Sequence, residues 1–348
     1  MKYEQLWKDI ETLCALRGPS GREAAVREYL IEQIKGHAEY EVDPLGNLLV
    51  RKKGKKPAKK VLQLSAHMDE VGFIITNIDE KGFLSFAPVG GVQPEVTGGR
   101  MVLVGDNAIP GMVGCKPVHL CDDKERSDPG KISNMKIDIG AKDKADAERQ
   151  VNKGDFVSFD SEWVEFGAGM VKAKALDDRS GCAILMAILE NTYPCDLTCA
   201  FTVQEEVGTR GAQTVMEHIE NVTCAIVLEG TTANDLGDVP EHLRVCAPGK
   251  GVAISMMDNS SLSHEPLWRA LRALARKEDI PWQMKSYVSG GNDAGRLQRE
   301  RGAVATAVLN VPCRYIHSPS SVASLADVDA AYRLVNAFLA SNADFQEG

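Results

Sequence analysis

From residue 3 to 16 apolar side chains recur at the spacing of one helix face, and the Gly-Pro-Ser turn at 18–20 breaks the run. Ser20, with Glu23 three positions on, reads as the capping box of a second helix over about 21–35. Extended pieces follow at 40–42 and 47–51, joined by a turn built on Asp43, Pro44 and Gly46. The basic run RKKGKKPAKK at 51–60 reads as a solvated loop or hairpin tip. Residues 61–65 read as a short buried strand that runs straight into AHMDE.

The pattern then changes. Between 71 and 166, segments such as GFIITNID, GFLSFAPVGG, GRMVLVG, GDFVSFD and EWVEFG are separated by turn signals such as DEKG, VGDN and NKGD, which predicts a small all-β unit. Residues 127–152 read as a loop or short helix at its edge. From 174 onward helices over 181–190, 208–219, 265–278 and 322–339 alternate with strands over 197–204, 224–228, 252–257, 282–287 and 303–310. That alternation predicts an α/β fold with helices covering a parallel or mixed sheet. The first helices and the strand at 61–65 belong with this sheet. The α/β domain is therefore discontinuous, with 1–70 and 167–343 flanking an inserted 71–166.

Composition narrows the class. The 348 residues suffice for a large core and two domains, and 44% hydrophobic with 26% charged residues is ordinary globular composition. A formal net charge of -9 argues against broad affinity for nucleic acid or anionic membrane. No apolar run reaches the roughly 18 residues of a membrane span. The segment MKYEQLWKDIETL carries acidic residues at once and has no signal core. Nine dispersed cysteines without a CxxC read as thiols of a reducing compartment. The expectation is a cytoplasmic protein that engages neither nucleic acid nor membrane.

The chemistry gathers at the carboxyl ends of predicted strands: HMD after QLS, EE after FTVQ, EG after IVL and YIH after LNVPCR, with ALDD just before a helix. Open α/β sheets bind ligands beyond those ends. Each cluster has a bland reading by itself. His67 and Asp69 can be a structural histidine and a loop cap, Asp177 or Asp178 an N-terminal helix cap, and Glu205 with Glu206 an exposed turn. Together with Glu229 and His317 they form a set of imidazole and carboxylate donors suited to a two-metal hydrolytic site. A cation would offset the repulsion between Glu205 and Glu206, so that one binds metal while the other moves protons. Asp69 can fix the tautomer of His67. Gly290 and Gly291 allow close backbone approach to a substrate or simply form a turn. No basic residue stands out as a reader of acidic substrate side chains.

These residues stand in AHMDEVGF (66–73), ALDDRSG (175–181), QEEVGTRGA (204–212), APGKGVAI (247–254), SGGNDAG (289–295) and RYIHSP (314–319). In motif content and order, over nearly the whole chain, the sequence resembles the M42 family of metallo-aminopeptidases, which includes proteins labelled glutamyl aminopeptidase, deblocking aminopeptidase or endoglucanase. The resemblance implies an α/β/α metallopeptidase domain of the phosphorylase/hydrolase-like type with an inserted small β-barrel-like dimerisation domain. It implies two divalent metals per subunit, zinc or cobalt, with manganese also compatible. His67 and Glu229 would hold one, Glu206 and His317 the other, and Asp177 would bridge them. Asp69 would orient His67, and Glu205 would be the general base. The implied activity is hydrolysis of the N-terminal peptide bond of short peptides, by a dimer or a tetrahedral dodecamer.

Glu229 stands where the family usually has Asp, adding one methylene of reach. That departure keeps open a related dinuclear amidohydrolase, either a deacylase or a carboxypeptidase-like enzyme. A noncatalytic scaffold would predict a damaged ligand or base position, and every such position holds a competent residue. Cleavage of polysaccharide is a poor match, because aromatics are only 6% and the carboxylates are committed to metal.

Overall fold

The computed structural model describes residues 3–55, 61–123, 130–237, 239–300 and 303–341. Residues 56–60 of the basic run lie outside the described residues. In chain order, helices α1 (Tyr3–Ala15) and α2 (Ala24–Ile34) precede β1 (Glu39–Val42), β2 (Leu48–Lys52) and β3 (Val61–His67). Next come β4 (Gly72–Ile78), β5 (Leu84–Val89), β6 (Met101–Val104), β7 (Ile109–Gly114), β8 (Lys136–Asp138), α3 (Lys144–Glu148) and β9 (Phe156–Phe159). After them run β10 (Val164–Phe166), β11 (Met170–Ala173), α4 (Leu176–Leu189), β12 (Asp196–Thr202), α5 (Arg210–His218), β13 (Val222–Thr232) and β14 (Val252–Ser255). The chain continues through α6 (Glu265–Lys277), β15 (Trp282–Lys285), α7 (Ala294–Leu297), β16 (Ala305–Arg314), β17 (Ser321–Ser324) and α8 (Leu325–Ala340).

A large mixed sheet carries the order β1-β2-β12-β3-β13-β16-β17-β11-β10, with β14 paired to β16 and β15 to β14. Its centre, β12, β3, β13 and β16, is parallel throughout. Alternation along single strands shows why both faces are covered. Ile226 and Leu228 of β13 enter one core with α1, α2, α4, α6 and α8, while Ala225 and Val227 enter another with α5 and α7.

The inserted strands β4-β5-β8-β7-β6-β9 close into a barrel with its own core. Phe73 packs edge-on against Phe86 and Phe159, with centroids 4.9 and 5.2 Å apart. The barrel leaves the sheet directly after β3, so it stands beside the carboxyl ends of the central strands. The segment EWVEFG, read above with this unit, supplies β10, which pairs with β11 in the large sheet instead. Among the described residues no helix is long and apolar enough to cross a membrane.

Local expectations shift in three places. Ser20 does not cap α2: its hydroxyl donates to Asp69 Oδ2 at 2.5 Å, and Glu23 accepts from the amides of Gly21 and Gln204. The strand expected over 224–228 runs on to Thr232, which places Glu229 inside it. Residues 321–324 form β17, so the last helix begins only at Leu325.

Candidate metal centre

Strand register places the first donors. Thr202 of β12 lies opposite His67 of β3, Ser65 lies opposite Val227 of β13, and Glu229 lies opposite Asn310 of β16. Two residues beyond the Ser65–Val227 pair come His67 and Glu229. Residues in register, and residues two apart, share a sheet face. Thr202, His67, Glu229 and Asn310 therefore form one row at the carboxyl end of the parallel strands.

Asp177 joins this row from the start of α4. Ala175 adopts a left-handed conformation, Asp177 and Asp178 are non-helical, and the peptide between them is cis. The two aspartates divide the roles that the sequence left open. Asp178 Oδ1 accepts from the Gly181 amide at 3.0 Å, which is the capping bond, while Asp177 points at the histidines. Gly230 makes room for it: its amide donates to Asp177 Oδ1 at 2.9 Å, and a Cβ there would stand 2.6 Å from Asp177 Cβ. His317 enters from the loop after β16 with φ +59. Its Nδ1 lies 3.1 Å from the carbonyl oxygen of Gly91, a residue on the loop after barrel strand β5.

The result is a paired arrangement. His67 Nε2 is 3.3 Å from Asp177 Oδ1 and 3.6 Å from Glu229 Oε2. His317 Nε2 is 3.6 Å from Asp177 Oδ2 and 3.3 Å from Glu206 Oε2. Each oxygen of Asp177 thus faces a different His–Glu pair. Donor atoms of His67, Asp177 and Glu206 all lie within 4.8 Å of one another.

Asp69 lies wholly buried behind the cluster. Its Oδ1 accepts from the Glu205 amide at 3.0 Å, and its Oδ2 from the Glu206 amide at 3.1 Å. Toward His67 the Asp69 carbonyl oxygen, 3.1 Å from Nδ1, is nearer than its carboxylate at 3.5 Å. The side chain therefore grips the Glu205–Glu206 turn more closely than the imidazole. Glu205 and Glu206 open onto a cavity of about 400 Å³, together with Asp177, Glu229 and His317. A larger cleft of about 790 Å³ between the start of α2 and the barrel contains none of these donors.

Electrostatics set the chemistry of this cluster. Burial pushes Glu206 up to about 7 and raises Glu205 and Glu229 well above the carboxylate range. Burial also acts to raise Asp177, but His317 and His67 outweigh it and hold this carboxyl below its ordinary value. Burial works against the His317 cation, yet Asp177 and Glu206 outweigh it and raise the imidazole to about 9.

The donor set fits divalent cations. A carbonyl oxygen only accepts, so the contacts to Asp69 and Gly91 place a proton on Nδ1 of each neutral imidazole and leave Nε2 with a lone pair. Those lone pairs face carboxylate oxygens, which are also acceptors, and a cation between them satisfies both. Glu229 Oε1 is buried and has no hydrogen-bond partner among the described residues.

Several residues near the cluster had no assigned role in the sequence. Asp293, within the NDAG motif, is buried, pushed up to about 6 by burial, and accepts from Thr202 Oγ1 at 2.6 Å. Gly91 and Lys285 also line the cavity, and neither stands in any local pattern that marks it.

Known proteins share this architecture. The family model for M42 glutamyl aminopeptidase matches residues 46–334. The lysyl aminopeptidase of Pyrococcus furiosus is 31% identical, with 96% of each chain covered. An aminopeptidase from the archaeon Desulfurococcus kamchatkensis superposes with a TM-score of 0.93 at 31% identity, covering 98% of this chain and 96% of that one. The Pyrococcus horikoshii TET1 peptidase, described as assembling into a tetrahedron or a large octahedral shell, has a TM-score of 0.85 at 30% identity, with 96% and 99% covered.

Proposed function

This chain belongs to the M42 glutamyl aminopeptidase family and is an aminopeptidase acting on peptides, and we propose that it releases the N-terminal residue of short peptides with two divalent cations held at the His–carboxylate cluster. The division of Asp177, one oxygen toward His67 and Glu229 and the other toward His317 and Glu206, carries this reading. His67 and Glu229 hold one cation, Glu206 and His317 the other, and Asp177 contributes to both. The imidazole and carboxylate donors suit zinc or cobalt, and also manganese.

Bound there, such cations supply polarisation of the scissile carbonyl and a water acidic enough to lose a proton near neutral pH. Glu205, on the cavity wall beside the cluster, is the general base: its carboxylate takes the proton of the attacking water and returns one to the leaving amine nitrogen. Asp69 holds the Glu205 and Glu206 amides, fixing both side chains relative to the substrate cavity.

In this reading the large-sheet domain, which takes in β10, is the catalytic domain and the inserted barrel β4–β9 a dimerisation module. The assembly of the Pyrococcus horikoshii relative into a tetrahedron or a large octahedral shell supports self-association, and the form proposed for this chain is a dimer or a tetrahedral dodecamer. The nine dispersed cysteines support a cytoplasmic setting. The family description and the Pyrococcus furiosus relative carry glutamyl and lysyl names, opposite side-chain charges, so membership leaves the preferred first residue open.

Chelation followed by reloading with zinc, cobalt or manganese tests the proposal. The expected result is two cations per chain by elemental analysis, with release of the first residue from a peptide panel. A single cation at full activity, or trimming from the carboxyl end, overturns it.

A further inference from the structure

We propose that the inserted barrel belongs to the cation centre: Gly91 is a positioning residue for His317, so the seating of the barrel sets the affinity of the cation held by His317 and Glu206 and leaves the other cation untouched. This rests on the two-cation reading above. The two His–carboxylate pairs are built differently. His67 ends β3 and Glu229 stands within β13, both central strands of the large sheet, and His67 Nδ1 faces the carbonyl oxygen of Asp69 at 3.1 Å. Among the described residues no hydrogen bond or ion pair joins either of these side chains to the barrel.

Glu206 and His317 stand beyond strand ends, on turns, and both meet the two glycines that follow β5. The Gly91 carbonyl oxygen lies 3.1 Å from His317 Nδ1, and a Cβ on Gly90 would stand 3.3 Å from Glu206 Cβ. Val71 and Phe159, where the chain enters and leaves the barrel, border a space of about 10 Å³ together with Asp177, Glu206 and His317. The His317 backbone has φ +59, a left-handed conformation that persists only where surrounding contacts hold it. The Gly91 carbonyl is such a contact, and it fixes both the rotation of the imidazole ring and the nitrogen that carries its proton.

The barrel in turn is seated away from the cations. Arg17, in the segment after α1, donates to the carbonyl oxygens of Gly105 and Asp106 in the β6–β7 turn, at 2.6 and 2.8 Å. The described residues that line the cation cavity include neither Arg17 nor that turn. Loosening this contact frees the barrel to shift, and Gly91 shifts with it, because β5 and β6 belong to one closed barrel with a shared core.

The test titrates cobalt into the cation-free full chain and follows the visible absorption of the bound ion together with the heat of binding. Two binding steps are expected in the wild type, and the one that vanishes in His317→Ala belongs to the cation of His317 and Glu206. Gly91 is outside the left-handed region, so alanine suits its backbone, but the added Cβ would stand 3.3 Å from His317 Nδ1 and displace the ring. In Gly91→Ala we expect that step to weaken at least about tenfold while the other stays within about twofold. Arg17→Met, remote from the cations, weakens the same step by about threefold or more. Gly98→Ala is the control, a barrel glycine where a Cβ meets only ordinary contacts from 3.6 Å outward, and it leaves both steps at their wild-type values. Circular dichroism shows whether each variant is folded. An unchanged step in Gly91→Ala or Arg17→Met, equal weakening of both steps, or a comparable loss in Gly98→Ala overturns the proposal and leaves the two-cation reading standing. A single binding step in the wild type overturns that reading, and this one with it.

Discussion

The Ser20 hydroxyl donates to Asp69 Oδ2 at 2.5 Å, the same oxygen that accepts from the Glu206 amide at 3.1 Å. A residue of the loop between the first two helices thus braces the acid that shapes the Glu205–Glu206 turn. Ser20→Ala removes one donor from a fully buried carboxylate and loosens that turn. Supporting partners of this kind are typically worth about 10–100-fold. We expect kcat/KM to fall roughly tenfold with the far-UV circular dichroism spectrum unchanged. Wild-type kinetics would show that Asp69 is held without Ser20.

Glu205→Gln keeps the shape of the side chain and removes its capacity to take a proton. Because the proposed cation ligands are untouched, cation content should stay at the wild-type level. Turnover should drop by about 10²–10⁴, the usual contribution of general acid–base catalysis. Single-turnover kinetics on the loaded variant measure this, and near-normal rates would remove Glu205 from the role.

His317→Ala deletes a donor from one half of the cluster and leaves the pair made by His67 and Glu229. Selective loss of one cation is expected, read as a fall in stoichiometry from two per chain toward one after dialysis. Unchanged stoichiometry would contradict the assignment.

Lys174 and Glu70 form an ion pair at 2.8 Å, with both side chains almost wholly buried. Lys174 also donates to the Leu16 carbonyl, and Glu70 accepts from the Gly18 amide, so the pair ties the end of α1 to the root of the barrel. Lys174→Met leaves the Glu70 carboxylate buried, with Arg179 at 3.7 Å as its remaining cationic neighbour among the described residues. Removing one member of a buried pair costs about 3–5 kcal/mol, and urea denaturation should show a loss near the lower end of that range. The double variant Lys174→Met, Glu70→Leu should recover part of it, since no charge is then stranded.

Much of this molecule was legible along the chain. Periodicity of 2 and 3.6 is local, so it marked the alternating strands and helices after residue 174 and the change to short strands after 71. Donors at strand exits marked His67, Glu205, Glu206, Glu229 and His317 as one candidate set, because a sheet's carboxyl edge collects them whatever the connections. Short-range preference misled at Ser20, where a capping pattern gave way to a hydrogen bond with a residue 49 positions away. It also misled at 164–166, where a β-rich segment joined the neighbouring sheet instead of the barrel.

The tertiary structure decided what depends on distant partners. It separated Asp177 from Asp178, giving the cap to the second and the cluster to the first, because Gly230 leaves space and an amide for Asp177. It brought Gly91 from the barrel to His317, and it set Lys285 on the cavity wall. Sequence patterns fix which face a side chain takes on its own element. Sheet register and strand order determine which element it meets, and they arise only when the whole core packs.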